Sequence, residues 1–130
     1  MEDNTHYRHE IGTAGEDIAC NWLSQRGHII LERNYRWSHL EIDIISIDAA
    51  GIHFVEVKTR KSGIQAPPQD NVDWRKQARI AKAASMYLKS GRGREIAGRE
   101  CFFDVFTVIF SASGTYETEW FPQAYLPIFY

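Results

Sequence analysis

Leu40-Glu41-Ile42-Asp43-Ile44-Ile45-Ser46-Ile47, followed by Ile52-His53-Phe54-Val55-Glu56-Val57-Lys58-Thr59, decides how this chain is read. Both runs are rich in β-branched and aromatic residues, and Asp48-Ala49-Ala50-Gly51 between them has the chemistry of a tight turn. They read as two strands of a hairpin. Side chains alternate faces along a strand, so Glu41 and Asp43 share a face opposite Ile42 and Ile44, and Glu56 shares a face with Lys58. One face of the hairpin can then collect Asp43, Glu56 and Lys58. Charge embedded in such apolar runs is costly unless something pairs it. Glu41 has Arg33, Arg36 and Arg60 as available partners.

Outward from the hairpin, residues 12–26 read as an amphipathic helix with Thr13 as N-cap, Glu16 as its capping-box partner and Gly27 as C-cap. Ile18, Ala19, Trp22 and Leu23 supply its apolar stripe. Residues 28–37 form a first strand. Residues 62–71, with Pro67-Pro68, form a flexible loop, and 73–90 a second helix capped at Asp73. Its buried stripe is Ala81, Ala84, Tyr87 and Leu88, and Arg75, Arg79, Lys82 and Lys89 line another face. Ser90-Gly91-Arg92-Gly93-Arg94 reads as its exit loop. Cys101–Phe110 is a strongly apolar interior strand and Tyr116–Phe121 an edge strand. Short links make the early strands an antiparallel meander, and the second helix is long enough for a parallel crossover. The expected fold is α/β, a mixed sheet flanked by helices.

At 130 residues the chain reads as one domain, 1–130, with a flexible N-terminus over 1–8 and an apolar C-terminal tail over 122–130. Apolar content of 44% and charged content of 25% are those of a globular protein. Cys20 and Cys101 have no metal-ligand spacing, and two cysteines in 130 residues are too few to read as a disulfide scaffold, which fits a reducing compartment. The polar, acidic start lacks the pattern of a signal peptide, and no apolar run approaches the ~20 residues of a membrane span. The protein is expected in the cytoplasm, away from membranes.

The net charge of −2 hides a segregation. Residues 58–94 carry ten basic side chains and two acids, a net +8, while the rest, with five bases and fifteen acids, carries −10. Such asymmetry points to a polyanionic partner. Arg60, Lys61, Arg75, Lys76, Arg79 and Lys82 are the candidate nucleic-acid contacts. Asp43 and Glu56, with the backbone carbonyl of Val57, suit a hard cation, Mg²⁺ or Mn²⁺. A metal so held acidifies a water and stabilises charge on phosphate, and Lys58 would orient that water or neutralise the developing charge. This is the chemistry of a metal-dependent nuclease.

Asp43 followed by Glu56-Val57-Lys58 resembles the signature of the PD-(D/E)XK, or restriction-endonuclease-like, nuclease superfamily. More closely, the chain resembles the YraN-like bacterial family, which is similar to archaeal Holliday junction resolvases. Gly12-Thr13-Ala14-Gly15-Glu16, Glu41-Ile42-Asp43, Phe54-Val55-Glu56-Val57-Lys58-Thr59-Arg60, Lys76 with Arg79-Ile80, Tyr87-Leu88 and Phe103-Asp104-Val105 carry the likeness, over roughly residues 9–110. Where the family usually has Gly before Glu-Ile-Asp, this chain has Leu40. The resemblance implies a restriction-endonuclease-like mixed sheet and places an acidic residue of the first helix, Glu16, in the metal site beside Asp43, Glu56 and Val57. Asp43, Glu56, Lys58 and Glu16 are then the expected catalytic set, acting on DNA, including branched DNA. The alternative is a nucleic-acid-binding module or accessory subunit that keeps the nuclease fold and cuts nothing. Asp104 has two readings, a buried ion pair with an arginine of the second helix or a group positioning Lys58 or a bound water. The C-terminal aromatics either pack over the sheet or form a homodimer surface, and a DNA-repair or recombination protein is the expected further partner.

Overall fold

The computed structural model describes residues 4–63 and 74–126. In chain order the elements are α1 (Asn4–Gln25), β1 (Ile29–Trp37), β2 (Leu40–Ile47), β3 (Ile52–Lys61), α2 (Trp74–Leu88), α3 (Gly91–Ile96), β4 (Cys101–Phe110) and β5 (Tyr116–Tyr125). The strands form one sheet in the order β1-β2-β3-β4-β5, antiparallel except for the parallel β3–β4 pair. The long connection through α2 makes that parallel pair possible, because a crossover needs a dozen or more residues. The mixed α/β sheet flanked by helices is the expected architecture, consistent with a restriction-endonuclease-like fold.

Each face of the sheet has its own core. On the α1 face Ala19 and Leu23 pack against Ile44, Val55, Phe106 and Val108, with Trp22 at the edge. On the other face Ile80, Ala83, Ala84 and Tyr87 of α2 cover Ile42, Ile45, Phe54 and Phe103. Alanines on α2 let the helix lie close to the sheet, and the fully buried Phe54 and Phe106 each contribute roughly 2–3 kcal/mol through area removed from water.

Several boundaries differ from the expected ones. α1 starts at Asn4, so Thr13 lies inside the helix and is no N-cap, and Glu16 is no capping-box partner. An interior Gly12 costs a helix only about 1 kcal/mol, too little to stop it there. Residues 4–8, expected as a flexible lead-in, belong to this helix, and 1–3 lie outside the described residues. Ser62 and Gly63 form a turn, while the rest of the 62–71 loop and the Asp73 cap lie outside the described residues. Ser90–Arg94 is not a plain exit loop, since Gly91–Ile96 forms α3. Gly93 serves close packing there, because a Cβ would lie 1.9 Å from the Tyr87 carbonyl oxygen.

β5 runs on to Tyr125 and takes in the start of the tail, while 127–130 lie outside the described residues. Pro122 is tolerated because an edge strand has an unpaired side. Among the described residues no helix is long and apolar enough to cross a membrane.

Candidate functional site

β2 and β3 are zipped from Ile47↔Ile52 to Ile44↔Val55 and then part. Just past that point the Val57 amide donates to the Asp43 carboxylate at 2.8 Å, where the ladder would have used a backbone carbonyl. β2 stays paired with β1 beyond the parting, through Tyr35↔Ile42 and Arg36↔Glu41. The strict alternation expected of Ile42 and Ile44 therefore fails. Ile44 enters the α1-face core and Ile42 the α2-face core. On β1 the left-handed Asn34 (φ 53°) sits beside this turnover, and irregularities of this kind re-aim side chains.

The parting opens a cleft of about 230 Å³ lined by Glu41, Ile42, Asp43, Val55, Glu56, Lys76 and Ile80. Asp43 and Glu56 are thus brought together, whereas Lys58 and Glu16 are not among the residues that line the cleft. Glu16 approaches from α1, because Gly15 lets the helix lie directly on β3. A Cβ at position 15 would meet Thr59 Oγ1 at 2.2 Å. Burial pushes the Asp43 carboxyl from its ordinary 3.8 up to about 6. The Val57 amide opposes that rise, and the charges of Glu16, Glu56 and Glu41 reinforce it. Glu16 is also raised by burial, with a hydrogen bond to Asn34 and the Arg33 charge pulling the other way. Arg33 bridges Asp17 at 2.7 Å and reaches Glu16 at 3.9 Å. Of the three arginines offered to Glu41, Arg36 takes it, at 3.5 Å.

Lys58 lies two residues past Glu56, opposite Thr107 of β4 in an unbroken parallel register, so alternation keeps it on Glu56's face. Arg60 is half-buried and Lys61 exposed at the end of the same strand. On α2, Arg75, Lys76, Arg79 and Lys82 lie toward solvent. Lys76 is also ion-paired with Glu56, a contact that nothing in the spacing announces. Trp74 is 63% exposed at the start of α2, with the Arg75 guanidinium 5.4 Å from its ring.

Asp104 pairs with no arginine of α2. Fully buried, it meets His53 Nδ1 at 2.5 Å and accepts from the Gln123 amide at 2.7 Å. The reason is geometric: Asp104 faces the α1 side with Val55 and Phe106, whereas α2 covers the other side. His53 also meets Asp48 at 2.8 Å, and these two carboxylates raise its pKa although burial alone would lower it. His28 reaches the same Asp48 at 3.3 Å, and its own pKa is lowered by burial and by His53. Ligand atoms of His28, Asp48 and His53 lie within 4.8 Å of one another, a group able to hold a metal ion. Sequence spacing carries no trace of it, because its members come from three separate segments.

Residues 15–108 match the Uncharacterised protein family UPF0102. A UPF0102 protein of Dictyoglomus turgidum is 41% identical over 117 residues, covering 89% of this chain and 97% of that one. Another, from Moorella thermoacetica, is 44% identical over 104 residues, covering 80% and 84%. A third, from Chlorobium limicola, is 40% identical over 107 residues, covering 82% and 81%. With a match across most of its length and relatives of this closeness, the chain belongs to the uncharacterised protein family UPF0102.

Proposed function

We propose that this protein is a Mg²⁺- or Mn²⁺-dependent endonuclease of the PD-(D/E)XK kind, hydrolysing phosphodiester bonds in DNA, branched DNA included. The observation that carries this reading is the meeting of Asp43 and Glu56 in the cleft where β2 and β3 part, with Glu16 on α1 near enough for its charge to raise the Asp43 carboxyl. The donor set is all oxygen, which suits a hard cation, and the Lys76 ammonium on Glu56 already marks a place for positive charge. Asp43, Glu56, Glu16 and the Val57 carbonyl would hold the cation. When bound, it supplies an acidified water and a counter-charge for phosphate.

The chain's own residues do the rest. The Val57 amide fixes the Asp43 carboxylate at the strand parting. Lys58, on Glu56's face, holds the attacking water or neutralises charge developing on the phosphate. Arg60, Lys61 and the α2 face of Arg75, Arg79 and Lys82 take the flanking phosphates, with Lys76 joining them when it leaves Glu56. Action on DNA implies a cytoplasmic setting, with a second copy or a DNA-repair protein as partner.

Calorimetric titration of Mn²⁺ into wild type and Asp43→Ala, followed by a cleavage assay on a branched DNA with Lys58→Ala, tests this. Metal binding that disappears in Asp43→Ala and turnover that disappears in both variants are expected. Equal cleavage by wild type and variants would sink the proposal. The Lys76–Glu56 ion pair favours one second reading, a nucleic-acid-binding module without turnover. It predicts salt-sensitive DNA binding indifferent to metal.

A further inference from the structure

On the α1 face, at the other end of the hairpin, lies a second polar cluster that the nuclease reading does not use. His28 precedes β1, Asp48 lies in the β2–β3 turn and His53 is on β3. Five residues of strand separate Asp43 from Asp48, roughly 16 Å. The two histidines are oriented the same way. His28 Nδ1 is held by Ser46 Oγ at 2.9 Å and His53 Nδ1 by Asp104 at 2.5 Å. That turns both Nε2 atoms onto one carboxylate, His53 to Asp48 Oδ1 at 2.8 Å and His28 to Asp48 Oδ2 at 3.3 Å.

We propose that His28 Nε2, His53 Nε2 and Asp48 form a site for a transition-metal ion of the Zn²⁺ class, a structural tie independent of the carboxylate cleft. Two imidazoles and a carboxylate are a donor set that zinc and its neighbours take, and hard cations avoid. Ligands about 2.0–2.1 Å from a tetrahedral ion stand about 3.3 Å apart, close to the spacings between Asp48 and the two rings. Metal-bound histidines characteristically give their other ring nitrogen to a carboxylate or hydroxyl, which Asp104 and Ser46 provide here. The setting is dry on the protein side: Phe102 stacks on His53 at 4.9 Å between centroids, and Trp120 lies 6.0 Å from His28. Asp48 is pinned by the Ala50 and Gly51 amides of its own turn, so the carboxylate needs no ordering. With Ser46 on β2, Asp104 on β4 and Gln123 on β5, the network reaches from the start of β1 across the whole sheet. The two carboxylates set against the rings, Asp48 and Asp104, match the charge of a divalent ion. An ion bound there takes the place of any proton on the Nε2 atoms, so binding releases protons at the pH where they are present.

Co²⁺ titration of the full chelator-stripped chain, followed by visible absorption and by Zn²⁺ displacement, tests the site. Asp43→Ala, His28→Gln and Ser46→Ala are compared, with circular dichroism confirming that each is folded. Expected are the d–d bands of tetrahedral Co²⁺, their intensity saturating at one tetrahedral ion per chain whatever the cleft binds, displaced by Zn²⁺, with a rise in Tm. Both effects persist in Asp43→Ala, vanish in His28→Gln, and need roughly tenfold more metal in Ser46→Ala. Should His28→Gln not fold, the Ser46→Ala shift alone decides. Absence of the bands in wild type, equal binding by His28→Gln or Ser46→Ala, or loss in Asp43→Ala would overturn the proposal. Retention in Asp43→Ala, even if that variant cuts nothing and binds no Mn²⁺, supports it, so failure of the nuclease reading leaves this result intact.

Discussion

Asp43 is held where its charge is disfavoured, and that has two measurable consequences. The unfolded chain releases this proton near 3.8 and the folded chain near 6. Between those values the folded state binds more protons, so stability falls as pH rises from about 4 to about 6 and stays lower above that. Asp43→Asn, which keeps an acceptor for the Val57 amide, is expected to raise stability by about 1–3 kcal/mol near pH 7 and by little near pH 4. Urea unfolding at the two pH values checks this. The same variant is expected to lose Mn²⁺ binding, and wild-type affinity for Mn²⁺ is expected to fall as pH drops through about 6, since proton and cation compete for one carboxylate. The carboxylates Asp43 and Glu56 are legible in the sequence because charge inside an apolar strand demands a reason. Lys76 on Glu56 is not, because an ion pair between a strand and a helix twenty residues away depends on how α2 lies across the sheet.

Among the elements, α1 depends most on a single small residue. Gly15→Ala puts a methyl group onto Thr59 Oγ1 and is expected to cost roughly 1–3 kcal/mol as α1 lifts from β3. Thr59→Ala added to it removes the clashing oxygen, and denaturant unfolding of the single and double variants should show most of the loss recovered. The strands are readable because β-branched runs and turn residues act locally; β2 and β4 have the expected bounds, Leu40–Ile47 and Cys101–Phe110. Helix ends are less so. Thr13 and Glu16 satisfy a capping pattern that the chain does not use, because a helix entered earlier costs little at Gly12. The tail of β5 is hidden for another reason. Gln123 gains its hydrogen bond from Asp104, a partner 19 residues away.

Across the whole molecule, charge and buried polarity are segregated. Arg79→Glu with Lys82→Glu, on the solvent side of α2, is expected to weaken DNA binding at every sequence tested. It should also flatten the dependence of log affinity on log salt by about one unit for each phosphate no longer neutralised. Fluorescence anisotropy across a salt series measures both. On the opposite side of the sheet, Asp104→Ala leaves a buried histidine and the Gln123 amide without their carboxylate. It is expected to cost about 3–5 kcal/mol, read as a lower midpoint in urea.

The order of the five strands with α1 and α2, the crossover, the carboxylates of the hairpin and the basic stretch that follows it all stand in the amino-acid order, while the short α3 does not. Each is written in neighbours or in a period of two or 3.6 residues. Folding in three dimensions was needed to establish that Asp43 replaces a carbonyl where β2 leaves β3, that Asp104 turns to His53, and that His28, Asp48 and His53 meet. These pairings join side chains from different strands, and which of them meet is set by register and by the face each strand presents, not by distance along the chain.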